Sequence, residues 1–199
     1  MKEQKHNKGI RLFGLRGVQV VRLLRVALAL ALLSSFLFIG CSILEMNSGF
    51  NRLVQGMYVV AHLSAALGVS LLFWSIVSVP DEVNGTRDKL PCLSVLAIIA
   101  YHLTAMVCYA LAYHADLYEM VLIVWWARAL LGFFIVVDFI FFGDTQMMVA
   151  GILVLIAFGA SGPYSLPESL GIIQWILVKL ATISLYILLY LCAKRIYRP

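Results

Sequence analysis

Runs of about twenty apolar residues alternate along the chain with short polar breaks. A helix needs about 20 mostly apolar residues to cross a hydrocarbon core of about 30 Å. On that measure the pattern predicts spans at 22–44, 57–79, 92–113, 118–142, 145–163 and 169–192. The breaks carry turn-forming residues: Asn47-Ser48-Gly49, then Pro80-Asp81-Glu82 with Asn84-Gly85, His114-Ala115-Asp116, Gly143-Asp144, and Gly162-Pro163 with Pro167. The expected fold is all-α, a polytopic transmembrane helical bundle of about six spans over residues 22–192. A basic segment, 1–21, precedes it, and a short basic tail, 193–199, follows.

Composition narrows the function classes. Of the 199 residues 63% are hydrophobic and 13% charged, about half the charged share of a soluble domain. Six crossings use roughly 120 residues, which leaves no stretch for a separate water-soluble domain. The chemistry is therefore expected within the bilayer or at its edge.

Charge sets the expected orientation and one partner. Lys2, Lys5, Lys8, Arg11 and Arg16 precede the first span with Glu3 as the only acid, and Lys194, Arg195 and Arg198 follow the last. An even number of spans places both groups on one side, which the positive-inside rule makes cytoplasmic. Bacterial inner membranes and organelle membranes fit equally. The N-terminal segment is expected to meet anionic lipid headgroups, either as a simple basic flank or as an interfacial helix with Lys8, Arg11, Arg22 and Arg25 on one face. The sequon Asn84-Gly85-Thr86 falls in a loop this topology makes cytoplasmic, so it is read as a chance triplet.

A 3+3 internal repeat also fits the pattern. With a shift of 103 the first span meets the fourth, pairing Arg25 with Arg128, Leu28 with Leu131, Phe36 with Phe139 and Gly40 with Gly143. With a shift of 77 the third meets the sixth, pairing Leu103 with Leu180, Tyr109 with Tyr186 and Tyr113 with Tyr190. Three spans per half would invert one half relative to the other, a common transporter plan.

Charges inside the spans carry the functional reading, because each costs roughly 2.5–3.5 kcal/mol to insert at the bilayer centre. His102, Arg128 and Lys179 fall near the middle of the third, fourth and sixth spans, and Asp138 lies toward the end of the fourth. Arg128 and Lys179 supply a fork and a point charge for an anion. His102 offers a proton-exchanging ring, and Asp138 a counter-charge. Ala61, Ser64, Ala65 and Gly68 place small residues four apart in the second span, as Ala27 and Ala31 do in the first. Such spacing marks a close helix-packing seam.

Other chemistries lack their parts. Cys41, Cys92, Cys108 and Cys192 are scattered without a metal-binding spacing. Gly159-Ala160-Ser161-Gly162 is similar to the nucleophile motif of rhomboid proteases, but no histidine follows His114 to act as base. Lys179 and Trp126-Ala127-Arg128 are faintly similar to microbial rhodopsins, which have seven helices and an acid where Trp175 stands. His62 lies near the outer end of its span and His102 near the centre of its own. Their depths should then differ by on the order of 10 Å, which argues against a haem held between two histidines. No cofactor, metal or nucleic acid is expected.

The leading expectation is a channel or carrier for a small anionic or proton-linked solute, at a site of Arg128, Lys179, His102 and Asp138. A non-catalytic subunit of a larger membrane complex and a membrane-embedded lipid-modifying enzyme are the alternatives. Self-association fits the small-residue seams.

Overall fold

A computed structural model describes residues 11–77, 89–111, 145–154 and 168–197, with the isolated positions 123 and 156. A small hairpin, β1 Arg11–Leu12 and β2 Leu15–Arg16, leads into five helices. These are α1 Val18–Ser48, α2 Arg52–Val77, α3 Lys89–Leu111, α4 Thr145–Val154 and α5 Glu168–Ile196. Among the described residues three helices are long and apolar enough to cross a membrane: Val18–Ser48, Arg52–Ile76 and Ile172–Ile196. Apart from Ile123 the fourth expected span, 118–142, lies outside the described residues, as do Arg128, Leu131, Phe139, Gly143 and Tyr113 of the repeat comparison.

Local chemistry sets where α1 ends and α2 begins. Gly49 takes φ 69°, in the left-handed region that L side chains avoid, and its N–H bonds Glu45 O at 2.9 Å. Two residues later Asn51 Oδ1 accepts from Leu53 N at 3.0 Å and Val54 N at 3.1 Å, capping α2. Only residues 49–51 separate the two helices, so they run antiparallel. Asn51→Ala should lower stability by about 0.5–2 kcal/mol, measured as a drop in the midpoint of thermal unfolding in detergent. Glycine at the same position should recover most of the loss.

The helices extend past the apolar runs that predicted them. Asn47 Nδ2 donates to Ile43 O at 2.8 Å and Ser48 Oγ to Leu44 O at 2.8 Å. Polar residues at a helix end thus satisfy themselves on the preceding turn, and hydropathy misses them. Deeper in, Ser34, Ser42, Ser75 and Thr182 bond carbonyls three or four residues back in the same way. Hydroxyls so satisfied are tolerable where no water reaches.

α2 lies at the centre of the described bundle. It packs against α1, α3 and α5, while α5 also meets α1 and α4. The α1–α2 crossing is close. A Cβ on Gly68 would stand 2.5 Å from Ala31 N and 2.6 Å from Ala27 O, so the α1 backbone occupies the space a side chain would need. Ala61, Ser64 and Ala65 on α2 are buried with Gly68, as are Ala27 and Ala31 on α1. At Gly68 the two helices meet backbone to backbone within one chain.

The outer surface is apolar. Val26, Leu33 and Phe36 on α1, Leu63 and Leu67 on α2, and Ile176, Leu180 and Leu191 on α5 are all exposed. A surface of this kind suits hydrocarbon rather than water. Apolar helices packed through small residues, with apolar outer faces, are the architecture of a membrane protein.

Both ends of the described chain close the same end of the bundle. The Tyr197 hydroxyl donates to Ser75 O at 2.9 Å, joining the last residue after α5 to the close of α2. Leu12, from the hairpin, is buried in the same cluster as Leu189, Ala193 and Tyr197. Residues 11–16 therefore turn back on themselves, and the wheel drawn through Lys8, Arg11, Arg22 and Arg25 does not describe one helix. The turn needs positive φ at both central residues. Gly14 supplies it at 79°, and Phe13 adopts it at 51°.

Candidate functional site

Three helices each present a stripe at helical spacing toward a common seam. On α1 it is Phe38, Cys41 and Glu45, on α2 Gln55, Tyr58 and His62, and on α3 His102 and Tyr109. Positions three, four and seven apart fall on one face of a helix. The α2–α3 register is set near the end of the bundle opposite the hairpin. There Gln55 Nε2 donates to Tyr109 O at 3.0 Å and Ala110 O at 2.8 Å. Seven residues along α2 and seven back along α3, the two helices reach His62 and His102.

These two histidines meet. Their Nδ1 atoms are 3.1 Å apart, with ring centroids at 5.4 Å. Both are buried, His62 at 3% exposure and His102 at 8%. The expectation that their depths differ by about 10 Å is corrected. It measured depth from span limits of 57–79 and 92–113, whereas α2 begins at Arg52 and pairs with α3 through Gln55. The hydrogen-bonded arrangement leaves no room for a metal ion between the two Nδ1 atoms. A nitrogen separation of 3.1 Å is shorter than two metal–nitrogen bonds of roughly 2.0–2.1 Å laid end to end.

Aromatic rings enclose the pair. Phe38 meets His62 edge-on at 4.8 Å, Tyr109 stacks beside it at 5.4 Å, and Tyr101 stands edge-on to His102 at 4.8 Å. Tyr58 stacks on Tyr109 at 4.3 Å and donates its hydroxyl to Glu45 Oε2 at 2.8 Å. Glu45 is exposed near the end of α1. A series of titratable groups, His102, His62, Tyr109, Tyr58 and Glu45, thus runs from the buried pair to the bundle end.

Lys179 of α5 approaches from the other side. Its Nζ lies 5.9 Å from the Phe38 ring centre and 5.7 Å from that of Trp175, within the range of a cation–π contact. Phe38 thus neighbours both His62 and the lysine. Of the four residues expected to bind a solute, His102 and Lys179 come into one neighbourhood, while Arg128 and Asp138 lie outside the described residues. His62, absent from that set, is the residue the fold adds. Gln55, a polar side chain in the first turn of α2, is its signal in the sequence, because its amide holds the α3 backbone in the antiparallel register that opposes the two histidines.

The chemistry open to the pair follows from its donors and acceptors. An Nδ1–Nδ1 bond needs one ring to donate and the other to accept. A bonded pair therefore holds at most one net positive charge. Doubly protonating both rings would face two donors and two like charges at 3.1 Å, which drives the rings apart. Among the described residues no group of three or more His, Cys, Asp or Glu is gathered that could hold a metal ion. Cys41 is buried with its sulfur 3.9 Å from Val54 O, and Cys41, Cys108 and Cys192 take part in no disulfide.

No protein-family model, curated protein or solved structure matches this chain.

Proposed function

We propose that this chain is a multi-pass membrane protein that carries protons, or a small anion together with a proton, through the bundle at the His62–His102 pair. The reading rests on one observation, two buried histidines from neighbouring apolar helices sharing a hydrogen bond. Ionisable groups are costly inside a membrane and mark conduction routes, and histidine is the side chain suited to exchange protons near neutral pH. Lys179, held against Phe38, supplies positive charge for an anion beside the pair. Tyr109 and Tyr58, stacked beside the pair, and Glu45, which accepts the Tyr58 hydroxyl, line the way from the pair to the end of the bundle. Arg128 and Asp138 complete the set as a second cationic ligand and a counter-charge. The six-span topology, with both ends on the cytoplasmic side, belongs to this proposal, since it makes the seam a path across the membrane.

The test is proton flux into liposomes containing the purified full-length chain, driven by a potassium gradient with valinomycin and read by an entrapped pH dye. His62→Gln and His102→Gln should each cut the protein-dependent rate by roughly 10²-fold, the low end of what a positioned proton-transfer group supplies. Gel filtration establishes that the variants fold. Flux unchanged in both folded variants, or no flux above protein-free liposomes from the wild type, overturns the proposal.

A further inference from the structure

The end of the bundle that carries the hairpin is built differently from the rest of its surface. α1 is 31 residues long, about 46 Å at 1.5 Å per residue, and exceeds a hydrocarbon core of about 30 Å by some ten residues. Arg22 and Arg25, in its first eight residues, are both exposed, and Arg195 is exposed two residues before Tyr197. Lys194 lies beside them in sequence, with its Nζ 5.9 Å from the Tyr190 ring centre. Phe13 against Trp74 and the Tyr197 hydroxyl on Ser75 O place the hairpin before α1 and the close of α5 beside adjacent residues of α2, at one level. Among the described residues no acid lies at this end, because Glu45 and Glu168 stand at the opposite one.

The hairpin adds an apolar anchor at the same level. Leu12 is buried, pinning the turn to the bundle, while Phe13 at its tip is 63% exposed. A bulky residue at positive φ is uncommon and persists where its surroundings hold it there. Here Phe13 stacks on Trp74 with ring centroids at 6.3 Å and planes 12° apart. An exposed phenyl beside a half-buried indole, at the depth of exposed arginines, is the pairing that suits a lipid headgroup layer.

We infer that this end is a docking surface for anionic phospholipid, with Arg22, Arg25 and Arg195 meeting headgroup phosphates and the Phe13–Trp74 pair seated among the glycerol and upper acyl segments. The occupant is the leaflet rather than a soluble ligand. Among the described residues Arg22, Arg25 and Arg195 are each exposed on the outside of an apolar helix, with an exposed phenyl at the same end, an open arrangement that suits a headgroup layer. The inference is independent of the histidine pair.

Native mass spectrometry of the detergent-purified full-length chain tests it, after addition of equal amounts of phosphatidylglycerol and phosphatidylcholine. The wild type should retain phosphatidylglycerol preferentially. Each Arg→Gln change at 22, 25 or 195 should reduce that preference roughly five-fold, the triple Arg→Lys variant should keep it, and 0.5 M salt should abolish it through screening. Phe13→Ser should weaken retention of both lipids. Equal retention of the two lipids by the wild type overturns the inference, as does a preference that survives high salt. The salt titration needs no variant, so a misfolded mutant leaves the outcome decided. Proton flux in pure phosphatidylcholine liposomes should be the same for wild type and the triple Arg→Gln variant.

Discussion

Gly68→Ala should cost about 1–3 kcal/mol or more, the range for forcing extra atoms into a packed interior. The added methyl would sit 2.5 Å from Ala31 N and 2.6 Å from Ala27 O. Both are backbone atoms of α1, which cannot swing aside as the end of a flexible side chain would. The helices would have to separate, and with them the buried contacts of Ala27, Ala31, Ala61 and Ala65. Gly56→Ala, in the same helix, is the control, because a Cβ there meets nothing within 4 Å. It should stabilise by roughly 0.5–1 kcal/mol, as alanine does over glycine within a helix. Thermal unfolding of both variants in one detergent makes the comparison. Equal midpoints for the two would mean that α1 and α2 do not cross at Gly68.

The histidine pair should show strong coupling in a double-mutant cycle. His62→Phe and His102→Phe each remove one partner of the 3.1 Å bond and leave a buried ring nitrogen without it, at a cost of about 1–3 kcal/mol apiece. The double variant replaces both polar rings with apolar ones of similar size in a site already lined by Phe38, Tyr101 and Tyr109. Its cost should be well below the sum of the singles, with a coupling of 0.5–3 kcal/mol in magnitude, the usual span for residues in contact. Chemical unfolding in mixed micelles gives the four stabilities. Additive losses would show that the two rings act separately, and the proton path would lose its first step. The cycle reads structure alone, so it separates a failed pairing from a failed transport function.

Much of the architecture was legible in residue order. The long apolar runs at 22–44, 57–79 and 169–192 became helices at Val18–Ser48, Arg52–Val77 and Glu168–Ile196. Backbone groups deprived of water have few ways to satisfy themselves, and a helix of sufficient length is the simplest. Limits were less legible than cores. Hydropathy stopped the first span at Leu44, but Asn47 and Ser48 bond back to their own helix and carry it a further turn. The hairpin was hidden because residues 11–16 contain no run long enough to show a period. The decision there fell to Gly14 at the turn and Leu12 in the core.

What the sequence determined on its own is the solvent. A chain with 63% hydrophobic residues and most of its charges in its breaks and ends is suited to a cover of lipid, and its small residues four apart mark faces on which helices can approach closely. Only the tertiary structure decided which polar groups meet. His62 and His102 are 40 residues apart in sequence, and composition is silent on whether helices 52–77 and 89–111 lie level or staggered. Gln55 clasping the Tyr109 and Ala110 carbonyls chooses the level register. A shift of one turn, about 5.4 Å, would separate the rings. Periodicity tells which face of a helix is polar, but the height at which two faces meet is set by long-range contacts, and that height is what turns two buried histidines into a site.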